Sequence, residues 1–261
     1  MRTRTSGAVM NHDDAKLDRI RKILAKAEDP AVTPAEADAY NEKADALIAA
    51  YGIDRAMLAA GDPGTDIIEH RHITFTAPYM RDRADLAWAV ADPLRVCGIL
   101  RTRRGRSYPR RTAPAYSMDL IGFTSDLDRV QAVYESLLIQ LGHGLAQRVP
   151  YGEHPSAYRR GYIRGFCWTV ESRLRAAERN AAETAGSTPA GGGQSVALVL
   201  ADRAAQVQAA VKAAHPDIGT ADYRDTSSYA GEAAGSDAAL GADLGQPRIS
   251  GSRSLTTGGA S

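Results

Sequence analysis

Leu127, Val130, Val133, Leu137, Leu141 and Leu145 recur at intervals of three and four residues. After a short break Tyr158, Tyr162, Phe166, Val170 and Leu174 do the same. Residues three and four apart share one face of an α-helix, so the two runs predict two long helices, each with an apolar stripe that must be buried. That requirement narrows the fold more than any other feature of the chain. Thr124-Ser125 and Pro155 mark the expected starts of these helices. Upstream, 67–76 ("IIEHRHITFT") is rich in β-branched residues and reads as a strand, and "VCGILR" and "AYSMDLIGF" read as two more flanking the arginine stretch. Between them Asp82 opens a helix bearing Leu86, Ala89 and Val90, which Pro93 ends or kinks. The expectation is an α+β fold, with a small antiparallel sheet of about three strands packed by the two long helices.

The flanks read differently. In 14–28, Leu17, Ile20, Leu24 and Ala27 lie at helical spacing, and Asp29-Pro30 ends the run. Thr33 then caps a second helix, with Pro34 at its first position and Glu36 reaching back. Ala37, Tyr40, Ala44, Leu47 and Tyr51 form its apolar face, Gly52 is expected in a left-handed turn, and Asp54 restarts a short helix through Leu58. The chain therefore divides into a helical hairpin domain at 11–60, an α+β domain at 66–182 and a linker at 183–194. A C-terminal helical segment at 195–245, expected to be loosely tethered, precedes a disordered tail at 246–261. "SVALVL" reads either as a short strand or as the start of a helix.

The stretch "KLDRIRKILAKAEDPAVTPAEADAYNEKADALIAAYGID" resembles the bacterial and phage family called domain of unknown function 2786. That family's pattern is a helix of the form K-I-x-K-L-L-x-L-A, a break, and then E-A-x-x-A-x-x-K-A-x-x-L-M-x-x-Y-G-I. Ile48 stands here where Met is usual. The later "LIGFTSDLDRVQAVYESLL" and "SAYRRGYIRGFCWTVESRL" are similar to the α+β segment that commonly follows. The resemblance implies this architecture and a bacterial or phage origin, and it implies no reaction.

Chemistry-bearing motifs are scarce. There is no G-x-S-x-G, no H-E-x-x-H, no paired C-x-x-C and no phosphate-cradling glycine loop, so no cofactor is expected. Cys97 and Cys167 read as small core residues of a reducing compartment. "MRTRTSGAVMNHDD" lacks the apolar run of a secretory signal, and no stretch is long enough to span a membrane. A cytoplasmic protein without membrane contact is expected. His70 and His72 share one face of a strand, as a metal pair would, with His143, His154 or Glu153 to complete it. None of these has diagnostic spacing, so the pair is expected exposed and metal-free. Asp119, Asp126 and Asp128 suit a divalent cation, but Asp126 and Asp128 are better explained by a helix N-terminus. Gly161 and Gly165 each cost about 1 kcal/mol inside a helix, which predicts another element packed closely against them.

Charge is where the chain is distinctive. The net charge is only +1, yet "RTRRGRSYPRR" at 101–111 holds six arginines and no acid. It lies between two expected strands and so forms a long hairpin loop. Arg159, Arg160 and Arg164 form a second cluster, and Arg148 is nearby. Only five of the 32 basic residues are lysines, so arginine is abundant throughout, and a wet loop tip is the bland reading. The functional reading assigns nucleic-acid backbone contacts to Arg101, Arg103, Arg104, Arg106, Arg110, Arg111, Arg159, Arg160 and Arg164, with Tyr108 stacking on a base. The sequence thus points to a non-catalytic or accessory protein that binds DNA or RNA. A metal-assisted hydrolase and a module docking a protein partner through the N-terminal hairpin are the alternatives.

Overall fold

The computed structural model describes residues 19, 22–23, 34–62, 64–103, 115–187, 195–219, 228–240 and 242. Of the expected first helix, Arg19, Lys22 and Ile23 fall among these. All three are helical, and Ile23 packs on the main core. Thr33, most of the linker and the tail at 246–261 lie outside the described residues.

The elements are α1 (Pro34–Gly61), β1 (Ile68–Phe75), α2 (Met80–Ala91), β2 (Cys97–Arg103), β3 (Ala115–Phe123), α3 (Thr124–Leu145), α4 (Pro155–Ser187), α5 (Val196–Ala214) and α6 (Tyr229–Leu240). The fold is α+β, as the apolar periodicities predict. The sheet is antiparallel in the order β1-β3-β2, with Ile68 opposite Phe123, Phe75 opposite Tyr116, Cys97 opposite Ile121 and Arg103 opposite Ala115.

Alternation along the strands gives the sheet two unlike faces. Phe75, Met118 and Leu120, with Ile73 and Leu100, join the main core against α2 and α3. The stripes on α3 and α4 meet there, and Leu137, Leu141, Phe166, Val170 and Leu174 are all buried. On the opposite face, Ile99, Ile121 and Phe123 are covered by Val207 and Val211 of α5. The rest of that face, toward the β2–β3 connection, is polar and open. Among the described residues no helix is long and apolar enough to cross a membrane.

Three expectations are corrected. Gly52 makes no turn: α1 runs on through it to Gly61. Its missing side chain has a tertiary cause, because a Cβ there would overlap the Arg129 guanidinium. Thr124 and Ser125 do not cap their own helix. Their hydroxyls bond backward, Thr124 Oγ1 to the Ile67 carbonyl (3.1 Å) and Ser125 Oγ to Asp66 Oδ2 (2.6 Å). Asp66 instead accepts the Ser125 amide at 3.1 Å, so a carboxylate from the preceding loop satisfies a first-turn donor of α3.

The third correction concerns the C-terminal segment, which is two helices and is firmly held. Gly161 and Gly165 of α4 face Gly231 and Gly235 of α6. A Cβ on any of the four would overlap backbone of the other helix, at Ser228, Glu232, Tyr158 or Tyr162 respectively. Arg173 of α4 then donates to the carbonyls of Ala239 and Ala242, the latter at 2.6 Å, closing the C-terminal end of α6 with a cation. The close packing expected of Gly161 and Gly165 is found. Its partner is the segment expected to be loosely tethered, because two glycine stripes let the backbones approach. Helix α4 also runs to Ser187, into the stretch expected as linker.

Candidate nucleic-acid interface

The topology decides where the root of the arginine stretch and the start of α4 lie. Arg103 and Ala115 close the sheet at the same end as Phe75 and Tyr116. Arg83, in the first turn of α2, donates to Thr76 just beyond that end, at 3.2 Å to its hydroxyl. Arg160, near the start of α4, acts electrostatically on Asp82 in the same turn of α2. At the far end of α2, Arg175 reaches Asp92, and Glu178 accepts from Arg95 at 2.6 Å. Helix α4 therefore runs alongside α2 in the same direction. Its N-terminal arginines sit at the end of the sheet from which the 101–111 stretch departs.

At the root of that stretch, Arg103 is exposed. Arg101 is exposed as well, but its Nε donates to Asp119 on the neighbouring strand. Asp119 also accepts from His72 Nδ1 at 2.6 Å. Burial alone would raise the Asp119 carboxyl, but the hydrogen bonds from His72 and Arg101 outweigh it and hold the group below the usual carboxylate range. Arg104, Arg106, Tyr108, Arg110 and Arg111 lie outside the described residues.

On α4, Arg160 and Arg164 are exposed on one face. Arg164 lies 3.5 Å from Glu232 of α6. Arg159 is turned toward the protein and half-buried, with its Nε sealed off without an acceptor. The three arginines thus do not present one common face.

The carboxylates that would suit a metal are engaged elsewhere. Asp119 is held as above, and Asp128 pairs with Arg71 at 2.7 Å. Asp126 is buried among arginines, and not merely placed at a helix start as expected. It accepts from Arg129 (2.9 Å), Arg95 (3.1 Å) and Arg203 (3.0 Å). Burial would raise its carboxyl, but the three guanidiniums prevail and lower it. Glu178 and Asp66 complete the cluster, and the Arg203 guanidinium also lies 3.7 Å over the Phe123 ring. This buried network joins the loop before β1, the turn before β2, α3, α4 and α5. It is the ionic node of the fold.

His70 is exposed, and His154 contacts Ser156 Oγ at 3.0 Å. Among the described residues no three His, Cys, Asp or Glu side chains come together as a metal site would require. Burial pushes the Cys167 thiol well above its ordinary value, the reverse of what a nucleophile needs. On the N-terminal side, Leu47 and Tyr51 of α1 pack into this chain's own core.

Sequence reasoning missed both Trp168, which is largely exposed, and Trp88, which is about half exposed. One signal was available. Arg160, Arg164 and Trp168 are spaced by four, on the side of α4 opposite the apolar stripe.

No curated protein and no solved structure matches the chain. The model of the family described as protein of unknown function DUF2786 matches residues 15–55, so the N-terminal helical segment is the part of this chain that carries the resemblance to that family.

Proposed function

We propose that the protein is a non-catalytic or accessory nucleic-acid-binding protein of a bacterium or phage, gripping the backbone with its arginine-rich hairpin and the start of α4. One observation supports the reading: the antiparallel register and the course of α4 bring the root of the arginine stretch, at Arg103, and the start of α4 to the same end of the sheet. A single phosphate backbone can span two such clusters, and each neutralised phosphate releases condensed counterions. The open sheet face beside the hairpin root carries His72, Thr74 and Arg103, groups that donate to phosphate or sugar oxygens. Arg101 contributes less than a free arginine, because Asp119 already competes for it.

The test is the salt dependence of binding. Replacing Arg103, Arg104 and Arg106 by Ala is expected to weaken binding at low salt. It should also flatten the slope of log affinity against log salt by up to roughly 2.7, three contacts' worth on duplex DNA. Unrelated sequences should suffer alike, since phosphate contacts position without specifying. Failure of the wild-type chain to bind DNA or RNA at low ionic strength ends the proposal. A full slope in the triple variant removes the hairpin from it.

A further inference from the structure

Both tryptophans of this chain line one groove. It lies between α2 and α4, has a volume of about 420 Å³, and is walled by Asp82, Asp85 and Trp88 on one side and Arg164, Cys167 and Trp168 on the other. Trp168 is 74% exposed and Trp88 45%. An indole ordinarily buries about 150–250 Å² of surface in a core or an interface. Two indoles left open across a groove are flat apolar faces awaiting a flat partner.

The surrounding charges restrict what that partner is. Arg81 holds Asp85 at 3.1 Å, and Arg175 holds Glu171 at 3.1 and 2.9 Å. Arg164 lies 3.5 Å from Glu232, and Arg160 attracts Asp82. Arg81 and Arg175 already serve Asp85 and Glu171, so a further cation, such as a basic peptide side chain, gains little there. The carboxylates disfavour a phosphate inside the groove, whereas Arg164 in its wall and Arg160, which acts on Asp82, stand on the same helical stripe as Trp168. Asp82, among the described residues, receives a hydrogen bond from backbone alone, which leaves it acceptor capacity. Burial, above all, pushes the carboxyls of Asp82 and Asp85 up, as expected of acids turned into a confined space.

We infer that this groove takes one unpaired nucleobase of a single strand, stacked on Trp168 opposite Trp88. The exocyclic amino group of the base donates to Asp82 or Asp85, and its flanking phosphates lie on Arg160 and Arg164. The inference rests on the nucleic-acid reading above and narrows its ligand. A paired base is already stacked within its duplex and cannot enter, whereas cytosine and adenine, unlike thymine, carry the amino donor.

Because no other tryptophan exists in the chain, emission excited beyond the absorption of its tyrosines reports this groove alone. The experiment titrates the full chain at low salt with short labelled oligodeoxycytidylate, oligothymidylate and a mixed-sequence duplex, reading tryptophan emission and the anisotropy of the label. Oligodeoxycytidylate is expected to quench emission saturably and oligothymidylate to bind several-fold more weakly. Trp168→Ala should weaken the deoxycytidylate complex about tenfold, and Trp168→Phe should retain most of the affinity, since a phenyl ring also stacks. Trp168 is exposed, so both variants keep the fold. Binding by anisotropy with unchanged emission, and unchanged affinity in Trp168→Ala, overturns the inference while leaving the nucleic-acid reading intact. No binding of any oligonucleotide sinks both. Quenching by an arginine-rich peptide but by no oligonucleotide makes the groove a peptide site and overturns the inference. Equal affinity for the two homopolymers removes Asp82 and Asp85 from it.

Discussion

Asp126→Asn is the sharpest test of the buried ionic node. In the wild-type cluster, three guanidiniums (Arg95, Arg129, Arg203) face three carboxylates (Asp66, Asp126, Glu178), and Arg129 is wholly buried. The substitution keeps the shape, removes one negative charge and leaves the cluster with an uncompensated positive charge away from water. Unbalancing a buried pair in this way costs about 3–5 kcal/mol, against a total stability of roughly 5–15 kcal/mol for a folded chain. The Nε atoms of Arg95, Arg129 and Arg203 are already sealed off without acceptors, so little slack remains to absorb the loss. In urea, with a slope of roughly 2–3 kcal/mol per molar, the midpoint should fall by about 1–2.5 M.

The pH dependence supplies a second arm. The Asp126 carboxyl is depressed in the folded state, so its stabilisation is fully present above the unfolded value, near about 4. It is lost as pH falls through the lower folded value. The gap between wild type and Asp126→Asn should therefore be full at neutral pH and shrink on acidification below about pH 4. A gap under about 1 kcal/mol at neutral pH refutes the reasoning, for the node would then be no more than a surface-like pair. A gap that stays constant on acidification, for as long as the chain remains folded, refutes the assignment to this carboxyl.

Gly235→Ala should destabilise by about 1–3 kcal/mol despite its better helix propensity, since the added Cβ overlaps the Tyr162 backbone; thermal melting decides. Gly52→Ala should likewise destabilise in urea titrations, because the methyl group displaces the Arg129 guanidinium from its partners. Arg173→Ala should expose the α6 amides to faster hydrogen exchange while those of β3 stay protected, as it uncaps the carbonyls of Ala239 and Ala242. Cys167, with its thiol buried and its ionisation suppressed, should resist alkylation at neutral pH until the chain is unfolded, which mass spectrometry will show.

How legible each feature was depends on whether its cause is local. The stripes of α3 and α4 and the three strands were read within a residue or two, because helical and extended periodicities are properties of consecutive residues. Pro93 likewise announced the end of α2 at Ala91. Gly52 was misread because glycine in a helix is a common stop signal, and nothing within its own turn reveals an arginine from α3 lying on top of it. Asp126 at a helix start looked like an ordinary dipole partner, since its three arginines come from positions 95, 129 and 203. Trp168 carries no clear signal of its own, because it belongs to the polar stripe of α4 with Arg160 and Arg164 and not to the apolar one.

The sequence alone determined an α+β chain with two long amphipathic helices, an arginine-rich stretch between two strands, and an N-terminal segment resembling a known family. Each of those is written in neighbouring residues, where propensity, spacing and turn chemistry act. Only the tertiary structure decided that Gly161 and Gly165 meet Gly231 and Gly235, that six buried charges form one balanced node, and that the root of the arginine stretch and the start of α4 share one end of the sheet. Those outcomes depend on which distant backbones can approach and which buried charges must be neutralised. Such conditions hold between segments, and no single segment encodes them.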